Sequence, residues 1–190
     1  MSTYPFIQKR NTGIWLAERG RQHRETVQRH AGQDWRTRIF EETRTEDAMS
    51  SLDCPIGCFV SLQRPEGFGG GSAEAMYHGK PAVVTTYSGA RDLSTEETAN
   101  LVEYRVAAAH LDDYPCLDSG RKSLWAETAI GSAARRMRGL YDRRDTSTSL
   151  GERARSKIRL RYTPSNLAES YFSRLAELSM RLESGQDEGK

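Results

Sequence analysis

Cys58-Phe59-Val60-Ser61-Leu62, Gln63-Arg64-Pro65-Glu66-Gly67-Phe68-Gly69-Gly70-Gly71, Ser72-Ala73-Glu74-Ala75-Met76-Tyr77-His78-Gly79-Lys80-Pro81 and Ala82-Val83-Val84-Thr85-Thr86 run consecutively, and this stretch decides the fold. The first and last segments are short, rich in β-formers and bounded by turn residues, which predicts two strands. Between them the spacing predicts a helix over 72–78, ended by Gly79 in a left-handed conformation, with Pro81 just beyond. Strand, loop, helix and strand within about 30 residues make a βαβ unit, so the class is α/β. Such a unit is expected to be parallel and right-handed. That sets the 63–71 and 87–93 loops side by side at the carboxyl ends of neighbouring strands, where open α/β sheets bind ligands.

The first of those loops carries chemistry that packing alone does not explain. Glycines at 67, 69, 70 and 71 permit positive φ and leave no Cβ between the backbone and a ligand. The amides near 70–73 then open a helix and form a candidate anion site, suited to a diphosphate. Neither the G-x-G-x-x-G order nor a Lys-Ser/Thr pair is present, so the two best-known phosphate motifs do not apply. Glu66 and Glu74 flank the glycines, and carboxylates are acceptors suited to the paired hydroxyls of a sugar or ribose. The alternatives are a solvent-facing Glu66, a Glu74 that reaches back to cap its own helix, and a Phe68 that pegs the loop from beneath.

Outward from this unit the signals weaken. Residues 1–35 open without a clear strand, and 14–30 read as a polar helix with a thin apolar face. Thr37–Phe40 reads as a short strand, and Thr45-Glu46-Asp47 as the capped start of a brief helix through Leu52. Downstream, Leu101–Ala107 is a further extended segment. Three amphipathic helices follow, over Trp125–Tyr141, Leu150–Arg161 and Leu167–Leu182, whose apolar stripes are expected to pack on the sheet and on each other. Residues 184–190 read as a polar tail.

Composition bounds the function. With 190 residues, 36% hydrophobic and 28% charged, and a mean hydropathy of −0.73, one folded unit with an economical core is expected. No apolar run approaches the roughly 20 residues of a membrane span. Cys54, Cys58 and Cys116 are an odd set without a signal peptide, which argues for reduced, structural thiols and a cytoplasmic setting. No His or second Cys pair completes a zinc site. The net charge is only +2, yet 135–161 holds ten basic residues against Asp142, Asp145 and Glu152. That run is either a solvated pair of helix faces or an attractor of phosphates or an anionic surface. Only Tyr141 interleaves its arginines, which speaks against single-stranded nucleic acid.

The run from Cys58 to Gly69, with Ala73-Glu74-Ala75-Met76, Gly79-Lys80-Pro81 and Tyr87-Ser88-Gly89, resembles the donor-binding half of family-4 glycosyltransferases. The likeness continues through Leu101-Val102-Glu103-Tyr104 and Trp125-Ala126-Glu127 to Met137-Arg138 and Leu140-Tyr141. It implies a Rossmann-like parallel sheet with flanking helices, the C-terminal half of a GT-B fold, over 36–183, after a poorly defined helical segment at 1–35. It also implies hexosyl transfer from a nucleotide diphosphate sugar to a glycan or related acceptor, with retention and usually without a bound metal or other cofactor. Glu66 is then the catalytic-site carboxylate that holds donor-sugar hydroxyls. Gly67, Phe68, Gly69 and Gly70 lie against sugar and phosphate, and Glu74 binds the ribose. The chain departs from the family at Gln63, Pro65, Gly70 and Gly71. The family's acceptor-binding domain and its basic diphosphate clamp have no recognisable counterpart among the roughly 55 residues before Cys58. The expectation is a truncated enzyme that needs a complementing N-terminal domain and alone binds donor weakly. The rival class is a non-catalytic remnant or interaction module; peripheral contact with a membrane is open, and nucleic acid is not expected.

Overall fold

The computed structural model describes residues 58–64, 67–109 and 123–183, and earlier in the chain 6–8, 25, 28, 29, 38–40, 45, 47, 51 and 55–57. The chain divides into two units, Met1–Gly57 and Cys58–Lys190. In the first, strand β1 (Phe6–Gln8) pairs in parallel with β2 (Arg38–Phe40), Ile7 standing opposite Ile39. β2 is the strand expected at Thr37–Phe40, whereas β1 corrects the expectation that the first 35 residues lack one. Glu25, Gln28 and Arg29 are helical and exposed, as are Asp47 and Ser51. The Ser51 hydroxyl donates to the Asp47 carbonyl at 2.7 Å. The rest of those two expected helices, with Cys54, lies outside the described residues.

The second unit begins with the expected βαβ: β3 (Phe59–Ser61), α1 (Gly70–Tyr77) and β4 (Ala82–Thr85), both strands parallel with Phe59 opposite Ala82. A short helix α2 (Ala90–Leu93) leads to β5 (Asn100–Val102), which pairs in parallel on the other side of β4. The sheet order is therefore β3-β4-β5, with β4 in the centre and buried along its whole length. Side-chain alternation along β4 sends Ala82 and Val84 to one face and Val83 to the other. Ala82 and Val84 pack with Met76 of α1, Leu93, Ala99, and Ala154 and Ile158 of helix α4 (Arg144–Arg161). Val83 packs with Val102 and with Ala133 of helix α3 (Ile130–Asp142). Covering both faces is what lets a parallel sheet satisfy an unbroken apolar strand such as Ala82-Val83-Val84.

After β5 the chain does something the sequence reading did not anticipate. Glu103 leaves the sheet: its N–H donates to Ser132 Oγ at 3.5 Å, and its carbonyl accepts from the Ala129 N–H at 2.8 Å. The chain then forms β6 (Tyr104–Ala108), antiparallel to β7 (Leu124–Thr128), so the single extended segment expected at 101–107 is two strands in two sheets. The helix expected from Trp125 starts instead at Ile130. Trp125 falls on the α3 stripe by spacing, yet Trp125 and Ala126 are buried as strand residues.

The helical half is otherwise as expected in position, with α4 starting six residues before Leu150 and a final helix α5 (Pro164–Glu183). Its packing is not uniform. Leu150, Ala154 and Ile158 of α4 are buried, whereas Leu167, Tyr171, Leu175, Leu178 and Leu182 of α5 are all exposed. The expectation that all three stripes pack on the sheet therefore holds for α4, reaches only Ala133 and half-buried Leu140 on α3, and fails for α5. No helix among the described residues is long and apolar enough to cross a membrane.

Candidate functional site

The carboxyl ends of β3 and β4 point their loops to the same edge of the sheet, because the two strands are parallel. The loops touch. A Cβ added to Gly89 would run into the Gly67 carbonyl and the Phe68 amide, so glycine at 89 is what allows the two backbones to meet. Before it, Ser88 holds φ 57°, a left-handed conformation that a non-glycine residue adopts at some cost.

Gly69 opens α1. At φ 91° it is left-handed, and a Cβ there would stand 3.0 Å from Leu93 Cδ1. Its carbonyl accepts from the Ala73 N–H at 2.9 Å, the first bond of the helix. Gly70 and Gly71 are therefore the first helical residues, and the helix starts two residues before the expected Ser72. Among the described residues no side chain caps it, and the N–H groups at a helix's amino end suit an anion. Ser72 is 2% exposed, and its hydroxyl has no hydrogen-bond partner among the described residues. A buried hydroxyl without a partner costs about 1–3 kcal/mol.

The earlier start moves Glu74 from the expected first turn to the second, and no acidic residue lies in the first turn. Capping by Glu74 is thereby excluded. Its side chain is exposed, on the helix that rises from the loop. Phe68 is only partly a peg: 49% exposed, it meets the Tyr162 ring edge to face at 5.6 Å. Gly67, Phe68, Gly69, Gly70 and Glu74 are thus brought together on one loop and one helix. Glu66 and Pro65 lie outside the described residues. Gly79 has the expected positive φ, 71°.

A wall of the site comes from the β6–β7 ribbon, which sequence reasoning missed. The Arg64 guanidinium lies 4.1 Å above the Trp125 ring. The Tyr87 hydroxyl donates to the Leu124 carbonyl at 3.1 Å, and its ring meets that of Tyr104 edge to face. Thr85 and Thr128 share a hydroxyl hydrogen bond of 2.9 Å. Residues that follow β3 and close β4 are thus held by β7, which fixes the loop bases. The signal was in the sequence as aromatic residues at 87, 104 and 125, but nothing local shows that they converge. Cys58, at the foot of β3, is partly buried, and burial pushes its thiol up to about 12; Cys116 lies outside the described residues.

Among the solved structures that share this fold are three proteins each 14% identical to the chain. HepE of Anabaena in complex with UDP-glucose superposes with a TM-score of 0.60, over 85% of this chain and 38% of that one. A glycosyltransferase from Rickettsia africae gives 0.66, over 93% and 40%. Sucrose-phosphate synthase from Thermosynechococcus elongatus gives 0.63, over 95% and 38%. The chain spans about two-fifths of the length of these proteins. No protein-family model and no curated protein matches it by sequence. The parallel α/β sheet with flanking helices is therefore a fold shared with part of a glycosyltransferase.

Proposed function

We propose that the chain is the donor-binding part, over 36–183, of a retaining glycosyltransferase of the GT-B type, and that its ligand is a nucleotide diphosphate sugar. The observation that carries this reading is the meeting of two glycine-bearing loops, at Gly67 and Gly89, over the uncapped amino end of α1. Backbone amides at 70–72 suit the diphosphate, since a helix amino end carries partial positive charge. Glu74, without a cap to make, suits the ribose hydroxyls, and Glu66 is assigned to the sugar. HepE, which shares the fold, is seen with UDP-glucose. Transfer to a glycan or related acceptor would use an acceptor-binding part outside these residues, the departing phosphate helping to take up the acceptor proton.

Calorimetric titration with a panel of nucleotide diphosphate sugars tests the assignment. One of them binds, and Glu74→Ala weakens it about 10- to 100-fold, as expected for losing a charged acceptor worth about 1.5–3 kcal/mol. Unchanged binding in that variant removes Glu74 from the site. A second reading is a non-catalytic module that keeps the fold shared with part of these structures. The two readings part on whether donor binding is followed by transfer.

A further inference from the structure

Among the described residues β5 is the last strand of its sheet. Along it, α3 and the start of α4 leave a cavity of about 340 Å³, within the usual range for small-molecule sites. No residue of the 62–69 or 86–93 loops lines it, so it is separate from the donor site. Arg135, Arg136, Arg143 and Arg153 line it, against Glu96 and Glu103. Two of these arginines are engaged: Arg135 lies 4.0 Å from the Glu103 carboxylate, and Arg153 Nε donates to the Glu97 carbonyl at 3.0 Å. The guanidinium groups of Arg136 and Arg143 make no ion pair, hydrogen bond or ring contact among the described residues. Thr146 and Ser147, in the first turn of α4, also line the cavity, and that 18-residue helix begins without a side-chain cap. Its amino end therefore adds partial positive charge to the same wall.

Like charges gathered around one hollow repel each other unless an anion sits between them. A guanidinium fork pairs bidentately with a carboxylate or a phosphate, and two forks around one hollow can together engage the several oxygens of a phosphate. We propose that this cavity is a second binding site, for the dianion of a phosphate monoester, with Arg136 and Arg143 as its principal ligands. It gives a specific place to the basic run at 135–161.

The test titrates the full chain with inorganic phosphate and with glycerol 3-phosphate at constant ionic strength. It compares Arg136→Gln/Arg143→Gln with Arg138→Gln/Arg144→Gln, whose arginines instead lie over the Tyr141 ring. Saturable binding, weakened at least tenfold in the first pair and by less than twofold in the second, is expected. Arg136→Lys/Arg143→Lys keeps the charge, removes the forks and should weaken binding several-fold with an unchanged circular dichroism spectrum. Sedimentation with phosphatidylcholine vesicles containing phosphatidic acid separates the sources. Binding that shows the same dependence on Arg136 and Arg143 assigns the phosphate to a lipid headgroup, and binding of the free esters alone assigns it to a soluble ligand. Equal weakening by both glutamine pairs, or binding that never saturates, overturns the proposal.

Discussion

At Gly89 a single hydrogen does the work of joining two loops, because any larger side chain would meet the Gly67 carbonyl. Gly89→Ala should therefore push the 67–69 segment away from 87–89. Donor affinity should fall at least tenfold, and the melting temperature should drop by several degrees, the shift that about 1 kcal/mol produces in a domain of this size. Calorimetry and a thermal melt read the two effects separately. Cys58 makes a different prediction. Its thiol is raised from 9.0 to about 12 in the fold by burial, so the folded state keeps its proton where the unfolded state has lost it. The contribution is complete below pH 9 and is lost as pH rises towards 12, at about 1.4 kcal/mol for each pH unit at most. Other groups titrate there too, so the measurement is the difference in urea stability between the wild type and Cys58→Ala: its pH slope should be negative between 9 and 12 and absent below 9.

Among the elements, α4 and α5 carry similar apolar stripes and opposite burial. Ile158 is part of the core with Met76 and Val84, whereas Leu178 is 40% exposed. Ile158→Ala should cost about 2–5 kcal/mol. Leu178→Ala should stay within about 1 kcal/mol, since exposed positions rarely matter more; urea unfolding of both variants checks the contrast. Periodicity thus shows that α5 is a helix but not what its stripe meets, because burial is decided by tertiary neighbours. The same limit explains the ribbon. Trp125, Ala129 and Ala133 keep helical spacing by coincidence, and what makes 124–128 a strand is pairing with 104–108, a non-local contact. The βαβ unit was legible because its signals are local: β-branched runs, Gly79 with φ 71°, and Pro81. Of the candidate site, Gly67, Phe68, Gly69, Gly70 and Glu74 fall on one loop and one helix as expected, while Glu66 lies outside the described residues and the helix start was misplaced by two residues. Glycine at 70 and 71 reads as loop, although only Gly69 needs the left-handed conformation.

At the largest scale, the two faces of β4 account for the architecture of the unit Cys58–Lys190. α1 and α4 cover one face and α3 the other, and at the carboxyl edge the loops after β3 and β4 meet the β6–β7 ribbon. That edge is where the chain is proposed to hold a nucleotide sugar, and the cationic cavity beside β5 is where a phosphate is proposed to bind independently. Binding is a more direct test than turnover, because the residues at this edge are those proposed to hold the donor. The decisive measurement is a titration of the isotopically labelled chain with each of a panel of nucleotide diphosphate sugars, followed by backbone amide resonances. Saturable shifts are expected with at least one of them, centred on Gly67, Gly69, Gly70, Gly71 and Gly89, with Arg136 and Arg143 unmoved. No shift at the glycine loops with any of them at millimolar ligand, or shifts confined to 135–153, would contradict the account.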